Sequence, residues 1–314
     1  MRSLPLLCLL SIGCAQKSEQ SSVPAPSAEL SVFEAGTVSD GFDNRDLAIS
    51  AGGDELYFTL QHENRISIVM HAKRQGNGWT VPQPASFSGK YKDLEPAFSP
   101  DGERLYFASN RPLTDSGVAA DFNIWYIQRS NGSWSKPEPL DSNINSGKDE
   151  YYPSLNRQND LYFTRDNGEK KEDIFIARFT NGRYLPAQPL PEAVNGPGYE
   201  FNAFVDPDNR FLIFTSYGRA DDLGGGDLYI SYYKNSSWQS AIHLNPPVNS
   251  SSIDYCPYIS PDGRYFYFTS SRMNPNFLDS AGIDREKLWK ALSSPGNGSD
   301  DIYRIVSDSV IQLK

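Results

Sequence analysis

The sequence predicts an all-β chain folded as a five-bladed β-propeller of four-stranded blades, and three observations carry that prediction. An apolar run centred on aromatic residues recurs five times: Leu56-Tyr57-Phe58, Leu105-Tyr106-Phe107, Leu161-Tyr162-Phe163, Leu212-Ile213-Phe214 and Phe266-Tyr267-Phe268. Their middle residues lie 49, 56, 51 and 54 positions apart, a period that marks a propeller when it is made of short strands and turns. The composition agrees: 18 Tyr and 17 Phe suit half-buried sheet faces, and 24 Gly with 22 Pro supply turns. Thirdly, turn signatures precede the runs at a fixed place, as in Ser99-Pro100-Asp101-Gly102, Asp206-Pro207-Asp208-Asn209 and Ser260-Pro261-Asp262-Gly263.

The chain opens with a targeting segment over residues 1–14. Arg2 supplies a positive start, an apolar stretch runs from Leu4 to Ile12, and Leu10-Ser11-Ile12-Gly13-Cys14 resembles a bacterial lipobox. The resemblance implies acylation of Cys14, which would become the mature N-terminus. The stretch is too short for a permanent transmembrane helix. Residues 15–29 are rich in Ser, Gln, Ala and Pro and read as a flexible tether. The propeller then occupies residues 30–314. The expected location is the bacterial cell envelope, anchored to the outer membrane and facing the periplasm or the cell surface.

Within a blade, the second repeat shows every part. Ala97-Phe98 belong to the inner strand, Leu105 to Ser109 form the second, and Asn123-Ile124-Trp125-Tyr126-Ile127 form the third. Ser130-Asn131-Gly132 make a turn and Trp134 opens the outer strand, where Pro137 is tolerated at a sheet edge. Third strands recur at Asp173-Ile174-Phe175, Asp227-Leu228-Tyr229 and Asp301-Ile302-Tyr303, and outer strands open at Trp79, Tyr184 and Trp238. No outer strand follows Asp301-Ile302-Tyr303. Val38-Ser39-Asp40-Gly41 aligns with Ile144-Asn145-Ser146-Gly147 at an offset of 106, so residues 30–40 are expected to supply the missing strand and close the ring.

With their S-P-D-G, L-Y-F-x-S-x-R and D-I-Y elements, residues 30–314 resemble the TolB-like, WD40-like (PD40-type) β-propeller repeat family. That family is often six-bladed, which makes six the alternative count. The resemblance implies fold and, more weakly, a role in envelope integrity.

Chain direction alternates within a blade, so its loops sort onto two faces. One face carries tight turns; the other carries long insertions at residues 111–121, 217–226 and 272–300, and long loops are commonly functional. On that second face one register position is acidic: Asp93, Glu150, Glu200 and Asp254, with Asn44 in the first blade. A nearby position holds Arg111 and Arg272, with His62 in the first blade and Arg165 and Arg219 slightly out of register. Such carboxylates at a channel mouth would bind a cation, a basic peptide or sugar hydroxyls; alternatively they pair with the arginines and fix the strands. Residues 284–292 carry a helical pattern, on which Trp289 would stack on a sugar or peptide, or pack inside a cap.

Other chemistry is poorly supported. Three histidines and no G-x-S-x-G element argue against nucleophilic hydrolysis, and no His or Cys spacing suits zinc. No cofactor is expected, although Asp221, Asp222 and Asp227 around a Gly run leave a structural calcium ion open. A net charge of −10 argues against nucleic acid. Cys256 reads as a small buried hydrophobe. The expected function is a lipid-anchored, non-catalytic binding or scaffold protein with a protein or glycan ligand on the long-loop face. The alternative is a glycan-active hydrolase or lyase using channel carboxylates.

Overall fold

A computed structural model describes residues 29–311 except 115–116, 119–120, 131, 169–170 and 276–282. Cys14, the targeting segment, nearly all of the tether, and Asn131 of the Ser130–Gly132 turn lie outside the described residues. Among those described, five antiparallel blades are arranged around a central axis. The inner strands are Asp43–Ile49, Asp93–Phe98, Glu150–Leu155, Tyr199–Val205 and Asp254–Ile259. Second strands run over Glu55–His62, Arg104–Ser109, Leu161–Asp166, Phe211–Tyr217 and Tyr265–Ser270. Third strands follow at Ile66–Gln75, Asn123–Ser130, Glu172–Ala177, Asp227–Lys234 and Asp301–Val306. The outermost strands are broken into two-residue pieces such as Ser133–Trp134 and Glu138–Pro139, so little open edge remains.

The repeated aromatic runs are the filling between blades. Tyr57, Phe58, Tyr106, Phe107, Tyr162, Phe163, Phe214, Phe266 and Phe268 are all buried, because a second strand is covered on both faces by neighbouring blades. Each such side chain contributes about 1.5–3 kcal/mol on burial. The core accordingly divides into one cluster per interface, with a sixth at the axis around Tyr152, Tyr255 and Cys256. One cluster joins Phe211 and Ile213 of the fourth blade to Phe266 and Phe268 of the fifth, and another joins Leu56 and Phe58 of the first to Tyr267 and Ile302 of the fifth.

The ring is closed by the N-terminal strand. Ser31–Val32 pairs antiparallel with the last third strand, Ser31 opposite Arg304 and Val32 opposite Tyr303. Phe33 N–H then donates to Ile302 O at 2.7 Å. The offset of 106 also has a physical meaning. Asn145 accepts from Ile124 N–H at 2.8 Å and returns a bond to Ile124 O at 3.0 Å, and Ser39 accepts from Ile302 N–H at 3.1 Å in the same place.

The tight turns form one face, here the turn face. Gly102 and Gly263 adopt φ of 73° and 72° at the turn position that an L side chain resists. The opposite, loop face carries the insertions. There Arg285–Leu292 form a helix, N-capped by Asp284, whose side chain accepts from Lys287 N–H at 2.8 Å.

Candidate functional site

The acidic register resolves into four copies of one buried clamp. Asp93, Glu150, Glu200 and Asp254 are fully buried, and each pairs with an arginine of its own blade. Arg165 Nε meets Glu150 Oε1 at 2.9 Å, and Arg219 Nη2 meets Glu200 Oε1 at 2.9 Å. Arg111 and Arg272 do the same for Asp93 and Asp254. Arg165 and Arg219, offset by a residue or two in sequence, therefore reach the same point in space.

Each guanidinium also donates to a carbonyl of the segment arriving from the previous blade, Phe87 at 3.2 Å for Arg111 and Val194 at 2.7 Å for Arg219. Each lies over the second-strand Phe as well, 4.9 Å from the Phe107 centroid and 5.2 Å from that of Phe268. Burial pushes the carboxyls of Asp93 and Glu150 upward against the pull of the arginine and serine donors. The clamp ties inner strand, second strand and incoming connection together, and leaves no exposed carboxylate. Blade one lacks it. Asn44 is bonded to Asp40 Oδ1 at 2.8 Å and Phe42 O at 3.0 Å, and His62 is exposed.

The axis holds residues the sequence reading did not single out. Every inner strand breaks register two positions beyond the clamp position, which Asn44 fills in blade one, and there Asp46, Glu95, Tyr152, Asn202 and Cys256 take φ of 62°, 60°, 49°, 50° and 52°. This is a β-bulge in a conformation that all but Asn and Asp adopt at a cost. It turns the five side chains into the channel, where all are buried. The signal available in sequence was a constant spacing; the residue types at it differ in every blade.

One arginine serves this ring. Arg45 Nε meets Asp46 Oδ1 at 2.9 Å and its Nη2 meets Glu95 Oε1 at 3.1 Å. Its guanidinium lies 4.8 Å from the Tyr255 centroid. Cys256 Sγ donates to Asp46 Oδ1 at 2.7 Å, Asn202 Nδ2 donates to Cys256 Sγ at 2.9 Å, and Tyr152 N–H donates to Glu95 Oε2 at 2.8 Å. Asp46 Oδ2 has no hydrogen-bond partner. Burial, then the neighbouring Asp46 charge, push the Glu95 carboxyl up to about 8, while burial drives the Cys256 thiol and Tyr152 phenol well above their ordinary values.

Two cavities flank the axis. The larger, about 660 Å³, opens on the turn face and is walled by all five blades, with Glu95 and Tyr152 at its floor. The sequence reading favoured the loop face; the bulges and the small or apolar residues after them hollow out the other end. The smaller cleft, about 350 Å³, lies on the loop face among Asp149, Tyr151, Asp166, Lys171, Glu172 and Tyr199. Asp166 and Glu172 stand directly opposite each other across the second and third strands. Burial, with Asp166 and Asp149 nearby, pushes the Glu172 carboxyl up to about 6.

Trp289 stands 62% exposed on its helix, in which no residue is buried, with Arg285 5.2 Å from its ring. Phe42, 59% exposed, follows Gly41, whose carbonyl accepts from Asn297 Nδ2 at 2.9 Å just beyond that helix. The aspartates weighed for calcium are engaged by protein donors. Tyr229 OH donates to Asp221 Oδ1 at 2.7 Å and to Asp222 Oδ1 at 2.8 Å, and His243 Nε2 lies 2.7 Å from Asp227 Oδ2. Among the described residues no group of three or more His, Cys, Asp or Glu is placed to hold a metal ion.

No protein-family model matches the chain, and no curated protein matches it. Solved structures similar to it include a TolB homologue from Agrobacterium tumefaciens, at 16% identity and a TM-score of 0.49, over 73% of this chain and 70% of that one. A GH43 endo-arabinanase from Bacillus licheniformis matches at 12% identity and a TM-score of 0.49, over 86% of this chain and 95% of that one. A protein of unknown function from Dyadobacter fermentans matches at 14% identity and a TM-score of 0.48, over 88% and 86%.

Proposed function

We propose that this chain is an exported, lipid-anchored propeller of the bacterial envelope that binds a glycan or protein partner through its loop face and does not transform it. The observation that carries the reading is the exposure of Trp289, at 62%, on a helix with no buried residue. A large aromatic held in water by a short capped helix is suited to stacking on a sugar ring or anchoring a partner side chain. The clamps support the same reading, since four of the acids that would serve catalysis are each occupied by an arginine.

The test is retention on purified peptidoglycan sacculi and on a glycan array. Trp289→Ala with Phe42→Ala should lower retention at least tenfold while unfolding is unchanged; equal retention would remove the reading. Anchoring is checked separately. Cys14→Ser should move the protein from the membrane to the soluble fraction of cells and abolish its labelling by radioactive palmitate.

A second reading, a glycan-active hydrolase or lyase, is favoured by the loop-face cleft. Asp149, Asp166 and Glu172 line it together with no arginine in its wall, and a carboxyl raised to about 6 with two further carboxyls beside it has the makings of a proton donor next to a base. Turnover of an oligosaccharide panel that Glu172→Gln abolishes would establish it. Absence of turnover across the panel would retire it.

A further inference from the structure

The two ends of the axis differ in chemistry, and the turn-face cavity is independent of the loop-face reading. Its walls come from every blade and are largely apolar: Ile49, Phe98, Leu155, Phe204 and Tyr258 all line it. Its volume of about 660 Å³ lies within the range of small-molecule sites. Glu95, 3% exposed, forms part of the floor.

The charges around that floor do not balance. Arg45 is the cation that contacts both Asp46 and Glu95, at 2.9 and 3.1 Å. Asp46 gains only the Cys256 thiol in addition, and its Oδ2 has no partner. The other groups facing Glu95 supply no positive charge. Glu172, from the third strand of blade three, adds a negative field, Tyr152 offers a backbone N–H, and Cys256 and Tyr255 are held neutral by burial. One positive charge therefore faces at least two carboxylates, and a buried site resists such an excess.

At the rim the basic groups are already taken: Arg157 is paired with Asp208 at 2.7 Å and Arg210 with Asp206 at 2.7 Å. An anionic amphiphile finds no free cation there. A cationic head would find the aromatic rings of Phe98, Phe204 and Tyr258 in the wall and a carboxyl at the bottom.

From this geometry we infer that the turn-face cavity is a binding site for a monocationic amphiphile, an amine or ammonium head on an apolar body, with the head against Glu95. The ammonium takes the place of the Glu95 proton. The carboxyl O–H bond breaks, the proton leaves to solvent, and carboxylate and ammonium form an ion pair.

Isothermal titration calorimetry on the full chain tests this with octylammonium below its micellar concentration, against octan-1-ol and octanoate. Octylammonium is expected to bind at least tenfold tighter than either control. Its heat at pH 7 should differ between phosphate and Tris buffers by close to one proton released per molecule bound. Affinity should rise about tenfold from pH 6 to pH 7 and level off above about pH 8 as Glu95 ionises unaided. Glu95→Gln should remove the proton release and at least tenfold of the affinity. The wild-type pH profile and buffer comparison decide the matter even if that variant fails to fold. Octan-1-ol binding within threefold of octylammonium, or binding without proton release, overturns the proposal. Either result leaves the loop-face reading untouched, since that is read on sacculi and glycans.

Discussion

Four blades bury one carboxylate beside one arginine each, whereas the axis buries two carboxylates around a single arginine. In the clamps every acid has its cation, a serine or backbone donor and an aromatic face, and the arrangement is repeated as faithfully as the strands themselves. At the axis each blade contributes a different residue to the same bulge, so the ring of Asp46, Glu95, Tyr152, Asn202 and Cys256 has no internal symmetry. Repetition with a cation for every acid serves the fold. Asymmetry with one cation for two carboxyls marks the place where chemistry is unfinished, because Glu95 then keeps its proton rather than bear an uncompensated buried charge.

Removing the cation from one clamp should have the largest effect on stability. Arg219→Met leaves Glu200 buried and alone, and should lower unfolding free energy by about 3–5 kcal/mol in urea titrations. Replacing both members by Glu200→Leu with Arg219→Met should restore most of that loss, which would confirm a structural pair.

At the axis the response should instead follow pH. A carboxyl raised in the folded state contributes its stability at low pH and loses it as pH climbs through the folded value. Glu95 should therefore make the wild type progressively less stable between about pH 5 and pH 8, by a few kcal/mol in order of magnitude. Glu95→Gln should flatten that slope, and urea midpoints at pH 5, 6, 7 and 8 would show it. Arg45→Met should steepen the decline, since Asp46 and Glu95 then face each other without a cation.

The smallest change expected is at the thiol. Cys256→Ser keeps a donor to Asp46 Oδ1 in a site of nearly the same size and should shift stability by no more than about 1 kcal/mol. A larger loss would mean that the fit of the sulfur, and not the hydrogen bond, holds the ring together.

Much of the fold was legible because it repeats. The aromatic runs were placed on the second strands, and they are the buried filling between blades. The closing strand was placed by an offset, and Ser39 performs for Ile302 what Asn145 performs for Ile124. The helix over residues 285–292 was visible in its spacing and its acidic start. The acids were visible too, and pairing with arginine was weighed for them, but charge pattern by itself could not separate a channel mouth from a buried clamp. That distinction depends on which way the chain turns after Phe87, Ile144, Val194 and Val248, whose carbonyls complete each clamp.

Residue order alone pointed to five blades, their register and the strand that shuts the ring, since the apolar run was written five times and repetition removes chance agreement. Only the closed ring decided what meets at the axis. Cys256 lies 210 positions from Asp46 and 211 from Arg45, and although the bulge position recurs in every blade the residue types at it share no pattern. Their contact exists because five bulges turn inward at one height, where low dielectric and a shortage of positive charge then set the chemistry.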